Sequence, residues 1–288
     1  MMRATVSLRL IRQATTLFLC SLTFNSTAGL VRPGVPILRI EAGEHIASIK
    51  SIATDDKGRW LVTASHDKTV KVWNLTDGKL LTTLRPTIGE GFDGIVNAVA
   101  LSPDGATVAV GGWITAGDEG SNNHNIFLFD RASGKLLHRL SALPDVTLNL
   151  TFSANGRWLA ATLGGKNGVR LYELANGQLL GQDTDYGGDS YSAHFSRDGR
   201  LLTTAYDGYI RLYNFDGHTL TLQNKLAAPG GTQPYAARFS PDGKRIAVGF
   251  YGNAVVSVLD STSLALLFAP DTTGANDDHG TLSSVAWS

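Results

Sequence analysis

After residue 40, short apolar stretches alternate with polar turns along the chain. Runs rich in Val, Leu, Ile, Thr and aromatic residues, such as "TVAVGG" (107–112) and "NIFLFD" (125–130), are separated by segments of Gly, Asn, Asp and Ser. Short runs with a period of two residues, bounded by turn residues, are typical of β-strands. Because helical spacing is rare here, the pattern predicts an all-β domain.

One turn motif recurs at nearly regular intervals and divides the chain into units. Two copies read "SPDG", at 102–105 and 240–243, and the glycines of all copies are Gly58, Gly105, Gly156, Gly199 and Gly243. Each glycine can supply the positive φ of a tight hairpin turn. A second turn, as in "TDGKLL" (76–81), follows within most units, so that each unit holds four strands. Four-stranded sheets repeated at about 40 to 45 residues build a β-propeller.

Two of these segments resemble a known family. "HDKTVKVWN" (66–74) resembles the end of a WD repeat, and "SPDG" resembles its first hairpin. The chain is similar to the WD-repeat β-propeller family over residues 36–288, and we interpret it as a bacterial member. The resemblance implies five full blades at about 43–85, 92–141, 145–182, 188–227 and 232–269. A partial sixth blade would combine 280–288 with 36–41. We therefore expect an incomplete or open ring and a C-terminal truncation; a complete but unusual six-bladed ring is the alternative.

Residues 1–28 have the pattern of a signal peptide. Three arginines precede the apolar run "ATTLFLCSLTF" (14–24), and small residues follow up to Ala28. This arrangement predicts cleavage after Ala28, a linker over 29–35, and a periplasmic or secreted protein without other membrane contact. If the start codon is mis-called, the alternative is a cytoplasmic protein.

Ser65, His66 and Asp67 are the residue types of a serine-hydrolase triad. On a strand, however, neighbouring side chains point to opposite faces, so His66 cannot lie between the other two. The family resemblance implies a different role, a buried structural tetrad of His45, Ser65, Asp67 and Trp73. In it Asp67 would hold His45, and Ser65 would join His45 to the Trp73 indole. We therefore expect structure rather than catalysis here, and we predict no catalytic residue.

His66 occupies a position that is repeated in later units. Trp113 and Tyr251 stand at the same rank after the turn glycine, and Tyr206 stands one residue earlier in its unit. In the family's fold this rank lies near the central opening, and exposed aromatic residues often anchor protein interfaces. These four residues are therefore the predicted partner-binding rim; packing between blades is the alternative.

His194 and Arg238 share one rank of the predicted inner strands, where other units carry mainly small residues. They are candidates for a site in the central channel, where an anion or carboxylate ligand would suit two basic side chains. Coincidence of position is the alternative explanation.

The charge balance limits the classes of partner. Lys plus Arg and Asp plus Glu number 25 each, and no basic cluster is evident, so we predict no nucleic-acid partner. The histidines lack metal-ligand spacing, and we predict neither a metal nor a cofactor. The expected function is a non-catalytic scaffold that binds a protein or peptide on one propeller face. The alternative is a hydrolase-like or lactonase-like propeller enzyme, or a small-ligand sensor, that uses the channel.

Overall fold

A computed structural model of the 288-residue chain describes residues 43–115, 123–274 and 282–287. These ranges contain twenty strands and no helix. No helix within them is therefore long and apolar enough to cross a membrane. The predicted signal peptide at 1–28, the linker at 29–35 and the predicted strand at 36–41 lie outside the described residues.

The strands form five antiparallel sheets of four strands each, which we number as blades 1 to 5 in chain order. Blade 1 consists of β1 (Ile49–Thr54), β2 (Trp60–Ser65), β3 (Val70–Asn74) and β4 (Leu80–Leu84). Blade 2 consists of β5 (Ile95–Leu101), β6 (Thr107–Trp113), β7 (His124–Asp130) and β8 (Leu136–Leu143). Blade 3 consists of β9 (Thr147–Phe152), β10 (Trp158–Leu163), β11 (Val169–Glu173) and β12 (Leu179–Asp183). Blade 4 consists of β13 (Ser190–Phe195), β14 (Leu201–Ala205), β15 (Tyr209–Phe215) and β16 (Leu220–Ala227). Blade 5 consists of β17 (Pro234–Phe239), β18 (Arg245–Phe250), β19 (Val256–Asp260) and β20 (Leu266–Phe268).

The first strands of consecutive blades contact one another and line a central cavity. The second and third strands are mostly buried, whereas the fourth strands are largely exposed. This arrangement confirms the predicted all-β propeller of four-stranded blades. Within the described ranges no strand pairing joins one blade to another, so hydrogen bonds do not close the ring. The expectation of an open ring is therefore also confirmed.

Apolar side chains hold neighbouring blades together. Val62 and Val72 of blade 1 share one buried cluster with Val99, Val110 and Phe127 of blade 2. Each interior blade thus buries both faces against its neighbours, which explains why its strands carry apolar residues at consecutive positions.

The turn of blade 2 shows why a glycine is required there. Gly105 has a φ of 71°, and a Cβ on it would lie 2.4 Å from the ring of Trp60 in blade 1. The guanidinium groups of Arg59 and Arg131 lie 3.9 and 3.8 Å from the centre of the same ring. Gly105 therefore permits both the turn conformation and the close contact between two blades.

Residues 282–287 lie beside blade 5 without forming a strand. Leu282 makes an isolated bridge with Phe250, and a Cβ on Gly249 would lie 2.3 Å from the Leu282 carbonyl oxygen. In blade 2, a Cβ on Gly111 would lie 2.8 Å from the side chain of Thr147 at the start of β9. In both blades a following segment therefore packs closely on the glycine, through a side chain in blade 2 and through a backbone carbonyl in blade 5. The partial sixth blade itself stays a prediction.

Candidate functional site

Blade 1 contains a chain of polar side chains. His45 Nδ1 lies 2.8 Å from Asp67 Oδ2, and His45 Nε2 lies 2.8 Å from the hydroxyl oxygen of Thr63. The indole N–H of Trp73 donates to that same hydroxyl oxygen at 2.9 Å. With its proton on Nδ1, His45 donates to the carboxylate and accepts from Thr63. Every member of the chain is therefore paired, as a half-buried polar network requires.

The predicted position of Ser65 in this network is wrong. Its hydroxyl donates to the Ala47 carbonyl at 3.1 Å and accepts the Asp67 backbone N–H at 3.1 Å. Thr63 and Ser65 are two residues apart on one strand, so both point to the same face. Leu61 is the residue paired with Trp73, which makes Thr63 the diagonal neighbour of the indole. Ser65 is two residues further along β2, beyond this diagonal position.

The side chains of Ser65, His66 and Asp67 have different partners. His66 Nε2 lies 3.1 Å from the amide oxygen of Asn97 in blade 2, while Asp67 is bound to His45. The histidine therefore does not connect the serine to the aspartate, and the trio has no relay geometry.

A second buried polar network, which the sequence analysis missed, joins blade 4 to the end of β12 in blade 3. The hydroxyl of Tyr186 lies 2.6 Å from that of Thr203 and 2.9 Å from that of Tyr213, which donates to Asp183 at 2.8 Å. Burial raises the pKa of Tyr186 to about 12 and also raises that of Tyr213. Both phenols are therefore neutral donors at pH 7. The sequence contained a sign of this network, because Thr203 and Tyr213 occupy the positions in blade 4 that Thr63 and Trp73 occupy in blade 1.

A buried ion pair lies beside this network. Arg211 is fully buried, its Nη2 lies 2.5 Å from Asp207 Oδ2, and its guanidinium lies 3.9 Å from the ring centre of Tyr186. Burial opposes ionisation of Asp207. Hydrogen bonds from Arg211 and two backbone N–H groups outweigh it and hold the pKa of Asp207 below its usual value. The buried guanidinium thus connects β15 to Asp207 and to the Asp185 carbonyl oxygen.

Each inner strand has a β-bulge close to its first residue. In blades 1 to 5 the residue left without a paired Cα partner is Lys50, Asn97, Leu148, Tyr191 and Tyr235, respectively. A bulge redirects the side chain of the extra residue. The first residue of each inner strand pairs with a residue at or near the end of the second strand. The bulges therefore lie at the same end of the blades as the predicted rim.

Tyrosines from bulge and rim form one group on blades 4 and 5. The rings of Tyr191 and Tyr235 stack with centres 4.8 Å apart. Tyr206 lies 6.4 Å from Tyr191, and Tyr251 lies 6.2 Å from Tyr235. Tyr206 is 53% exposed, Tyr251 58% and Tyr235 38%. We call these four residues the tyrosine cluster. It unites two residues that the sequence analysis selected with two, Tyr191 and Tyr235, that it missed.

The electrostatic surroundings of Tyr191 reflect this crowding. Burial, the carboxylate of Asp189 and the neighbouring tyrosines raise the pKa of Tyr191 to about 12. Asp189 is held by the backbone N–H of Gly165, which donates to its Oδ1 at 2.6 Å. A fixed negative charge therefore lies near the stacked rings.

Trp113 belongs to a separate aromatic group on blade 2. Its ring lies 6.0 Å from Phe92 and 5.6 Å from His124, and it is 44% exposed. His66 is half-buried. The three aromatic members of the predicted rim are thus exposed rather than packed between blades. Their role in binding a partner stays a prediction.

His194 and Arg238 line the same central cavity, whose volume is ≈ 830 Å³. Arg238 Nη1 donates to the hydroxyl of Ser192 at 2.8 Å and to the Ala237 carbonyl at 2.9 Å. His194 Nδ1 accepts the backbone N–H of Phe239 at 3.2 Å. The structure therefore brings the two predicted channel residues to one wall. Within the described ranges no group of three or more His, Cys, Asp or Glu side chains could hold a metal ion.

Comparison with known proteins identifies the repeat. The family model for the WD domain, G-beta repeat, matches residues 38–74, 78–130 and 184–214. The chain carries WD40 repeats. The last match covers Tyr186 and the part of blade 4 that contains Tyr191 and Tyr206.

The WD40 repeats are similar to those of eukaryotic proteins. The chain is 36% identical over 166 residues to the small ribosomal subunit protein RACK1y of Oryza sativa subsp. japonica, which covers 54% of this chain and 44% of the relative. It is 31% identical over 164 residues to the small ribosomal subunit protein RACK1 of Caenorhabditis elegans, covering 53% of this chain and 45% of the relative. It is 29% identical to the cross-pathway control WD-repeat protein 2 of Flammulina velutipes, covering 53% and 46%. The alignments thus span less than half the length of these relatives.

These comparisons correct the predicted location. Two of the relatives are named as small ribosomal subunit proteins, and ribosomal subunits lie inside the cell. The prediction of a periplasmic or secreted protein is therefore wrong; it rested on residues 1–28, which lie outside the described ranges. The relatives come from a plant, a nematode and a fungus, so they do not support a bacterial origin. The comparisons do not support the predicted C-terminal truncation either.

Proposed function

We propose that the chain is a non-catalytic scaffold that binds a protein partner through the blade ends carrying His66, Trp113, Tyr206 and Tyr251. The observation that supports this function is the tyrosine cluster, which presents adjoining aromatic rings from two blades at the surface. WD40 repeats are consistent with a scaffold, and they supply the rigid framework on which the rings are held.

The chemistry of tyrosine suits this role. A tyrosine ring provides a large apolar contact area, its hydroxyl can hydrogen-bond at the edge of an interface, and few torsions are fixed on binding. The rings of Tyr206 and Tyr251 are more than half exposed, so burial in the blade does not account for them. Covering such rings with a partner would contribute to binding in the way that interface hot spots do.

Charge favours a partner segment with a positive side chain. The carboxylate of Asp189 lies close enough to Tyr191 to raise the pKa of its phenol. Aromatic faces and a nearby carboxylate both attract an arginine or lysine side chain. We therefore infer that the bound segment carries a cationic residue that contacts the tyrosine cluster.

The test compares partners captured by matched variants. The purified chain, the double variant Tyr206→Ala/Tyr251→Ala and the control Leu137→Ala are immobilised and exposed to the same eukaryotic cell extract. Leu137 is 54% exposed on the outer strand β8, so its replacement removes a similarly exposed apolar side chain away from the cluster. We expect a set of proteins that the double variant loses and the control retains.

Two further measurements separate the outcomes. Thermal melts of all three proteins must agree within a few degrees, so that loss of capture reports binding and not folding. A parallel capture is treated with ribonuclease, because two relatives are named as ribosomal proteins. Equal capture by all variants would overturn the proposed surface, and capture that disappears with ribonuclease would identify RNA as the partner class instead of protein.

A further inference from the structure

We propose that Arg238 and His194 form a binding site for a small carboxylate or phosphate anion in the wall of the central cavity. The two residues come from the inner strands of neighbouring blades, β17 and β13. The site is independent of the tyrosine cluster and of the proposed protein partner.

Arg238 is positioned but not neutralised. Its Nη1 is held by the Ser192 hydroxyl and the Ala237 carbonyl oxygen. In the described part of the chain, its Nε and Nη2 have no hydrogen-bond acceptor, and no carboxylate lies within 4.0 Å of the guanidinium. A fixed guanidinium with free N–H groups has the geometry to bind an anion through two hydrogen bonds.

His194 adds a donor without adding a charge. Because Nδ1 accepts the Phe239 backbone N–H, the proton of the neutral ring is on Nε2. Burial, and the charge of Arg238, lower the pKa of His194 to about 3. The ring is therefore a neutral N–H donor at pH 7, and its proton suits an acceptor such as a carboxylate or phosphate oxygen.

The charges around the cavity favour an anion. The charged residues in its wall are Asp56, Arg197 and Arg238, so positive groups outnumber negative ones within the described lining. Arg238 is partly exposed in the cavity wall, and burial of the rest of the side chain lowers the pKa of its guanidinium. A partly desolvated cation without an opposite charge is unfavourable, and a bound anion would relieve this cost.

The size of the cavity indicates the class of ligand. Its volume of ≈ 830 Å³ falls within the range of roughly 300 to 1,000 Å³ that is typical of small-molecule sites. The walls also contain apolar groups from Val285, Phe239 and Leu150. The site can therefore hold a small organic anion with its charged end at Arg238.

The test titrates the full chain with inorganic phosphate and with succinate by isothermal calorimetry at low ionic strength. We expect saturable binding of at least one probe, and the tighter probe identifies the anion as phosphate or carboxylate. Arg238→Gln should weaken binding by about tenfold or more, because a charge-assisted pair is lost. Arg245→Gln, at an exposed arginine of the same blade, is the control and should bind like the wild type.

Two further variants protect the test from a folding defect. Arg238→Lys keeps the charge but loses the planar fork, so it should fold and bind the probe severalfold more weakly. His194→Phe keeps an aromatic ring but removes the Nε2 donor and also the Nδ1 acceptor of the Phe239 N–H, so it should weaken binding, and a thermal melt checks that it still folds. If neither probe binds the wild type, the site is refuted. Equal binding by Arg238→Lys and wild type, or equal losses in Arg238→Gln and Arg245→Gln, would also overturn it. None of these outcomes bears on the tyrosine cluster.

Discussion

Replacement of Thr63 by valine removes the central hydroxyl of the blade 1 network while keeping the shape of the side chain. The hydroxyl oxygen lies 2.8 Å from His45 Nε2 and 2.9 Å from Trp73 Nε1, so one substitution removes two hydrogen bonds. Each hydrogen bond contributes about 1 kcal/mol to stability. The two ring nitrogens that are left without a partner add part of a desolvation penalty. We expect Thr63→Val to lower the free energy of unfolding by about 2 to 3 kcal/mol.

The assay is reversible denaturant unfolding of the full chain, with a thermal melt as a second measurement. A domain of this size should lose about 2 to 4 °C in Tm per kcal/mol. Because Ser65→Ala also removes buried hydrogen bonds, single variants do not distinguish the two hydroxyls. A double-mutant cycle with Trp73→Phe does, since phenylalanine keeps an aromatic ring but has no N–H to donate.

Thr63→Val and Trp73→Phe share one hydrogen bond, so their effects should differ from additivity by about 1 kcal/mol. Ser65→Ala shares no hydrogen bond with the indole, and its effect should add to that of Trp73→Phe within about 0.5 kcal/mol. Coupling of Trp73 to Ser65 in place of Thr63 would refute this account of the network.

Three further predictions concern other parts of the fold. Asp207→Asn should lower the free energy of unfolding at pH 7 by about 3 kcal/mol, because Arg211 stays buried without its counter-charge. The depressed pKa of Asp207 stabilises the fold above about pH 4, and this contribution is lost as the pH falls through the folded pKa. Denaturation at several pH values should therefore show a shallower acid loss in Asp207→Asn than in the wild type. Gly249→Ala should displace Leu282, since the new Cβ would lie 2.3 Å from its carbonyl oxygen, and limited proteolysis should then cleave near Leu282 faster than in the wild type. Tyr191→Phe should remove from the phenolate titration one tyrosine with a pKa of about 12; loss of a tyrosine that titrates near 10 would contradict the crowded environment of this ring.

The sequence was sufficient to predict the sheets because the turn glycines and apolar runs recur together. Gly105 shows the reason, since its φ of 71° and its contact with Trp60 exclude a side chain. The choice between Thr63 and Ser65 could not be predicted in the same way. Both hydroxyls are on one face of β2, and the register of β3 against β2 decides which one meets Trp73.

The tyrosine cluster contains two residues whose position a period-two sequence pattern does not predict. The position of Tyr251, and that of Tyr206 to within one residue, follows from counting residues after the turn glycine, so the sequence could identify both. Tyr191 and Tyr235 reach the same surface because one extra residue interrupts the pairing of each inner strand, between Ser190 and Ser192 in β13. A strict alternation of apolar and polar residues does not reveal such a bulge. Beyond the bulge, every side chain of the strand lies on the face opposite to the one that alternation predicts. The same shift determines the face on which His194 lies, so the bulge in β13 affects both the aromatic surface and the wall of the cavity.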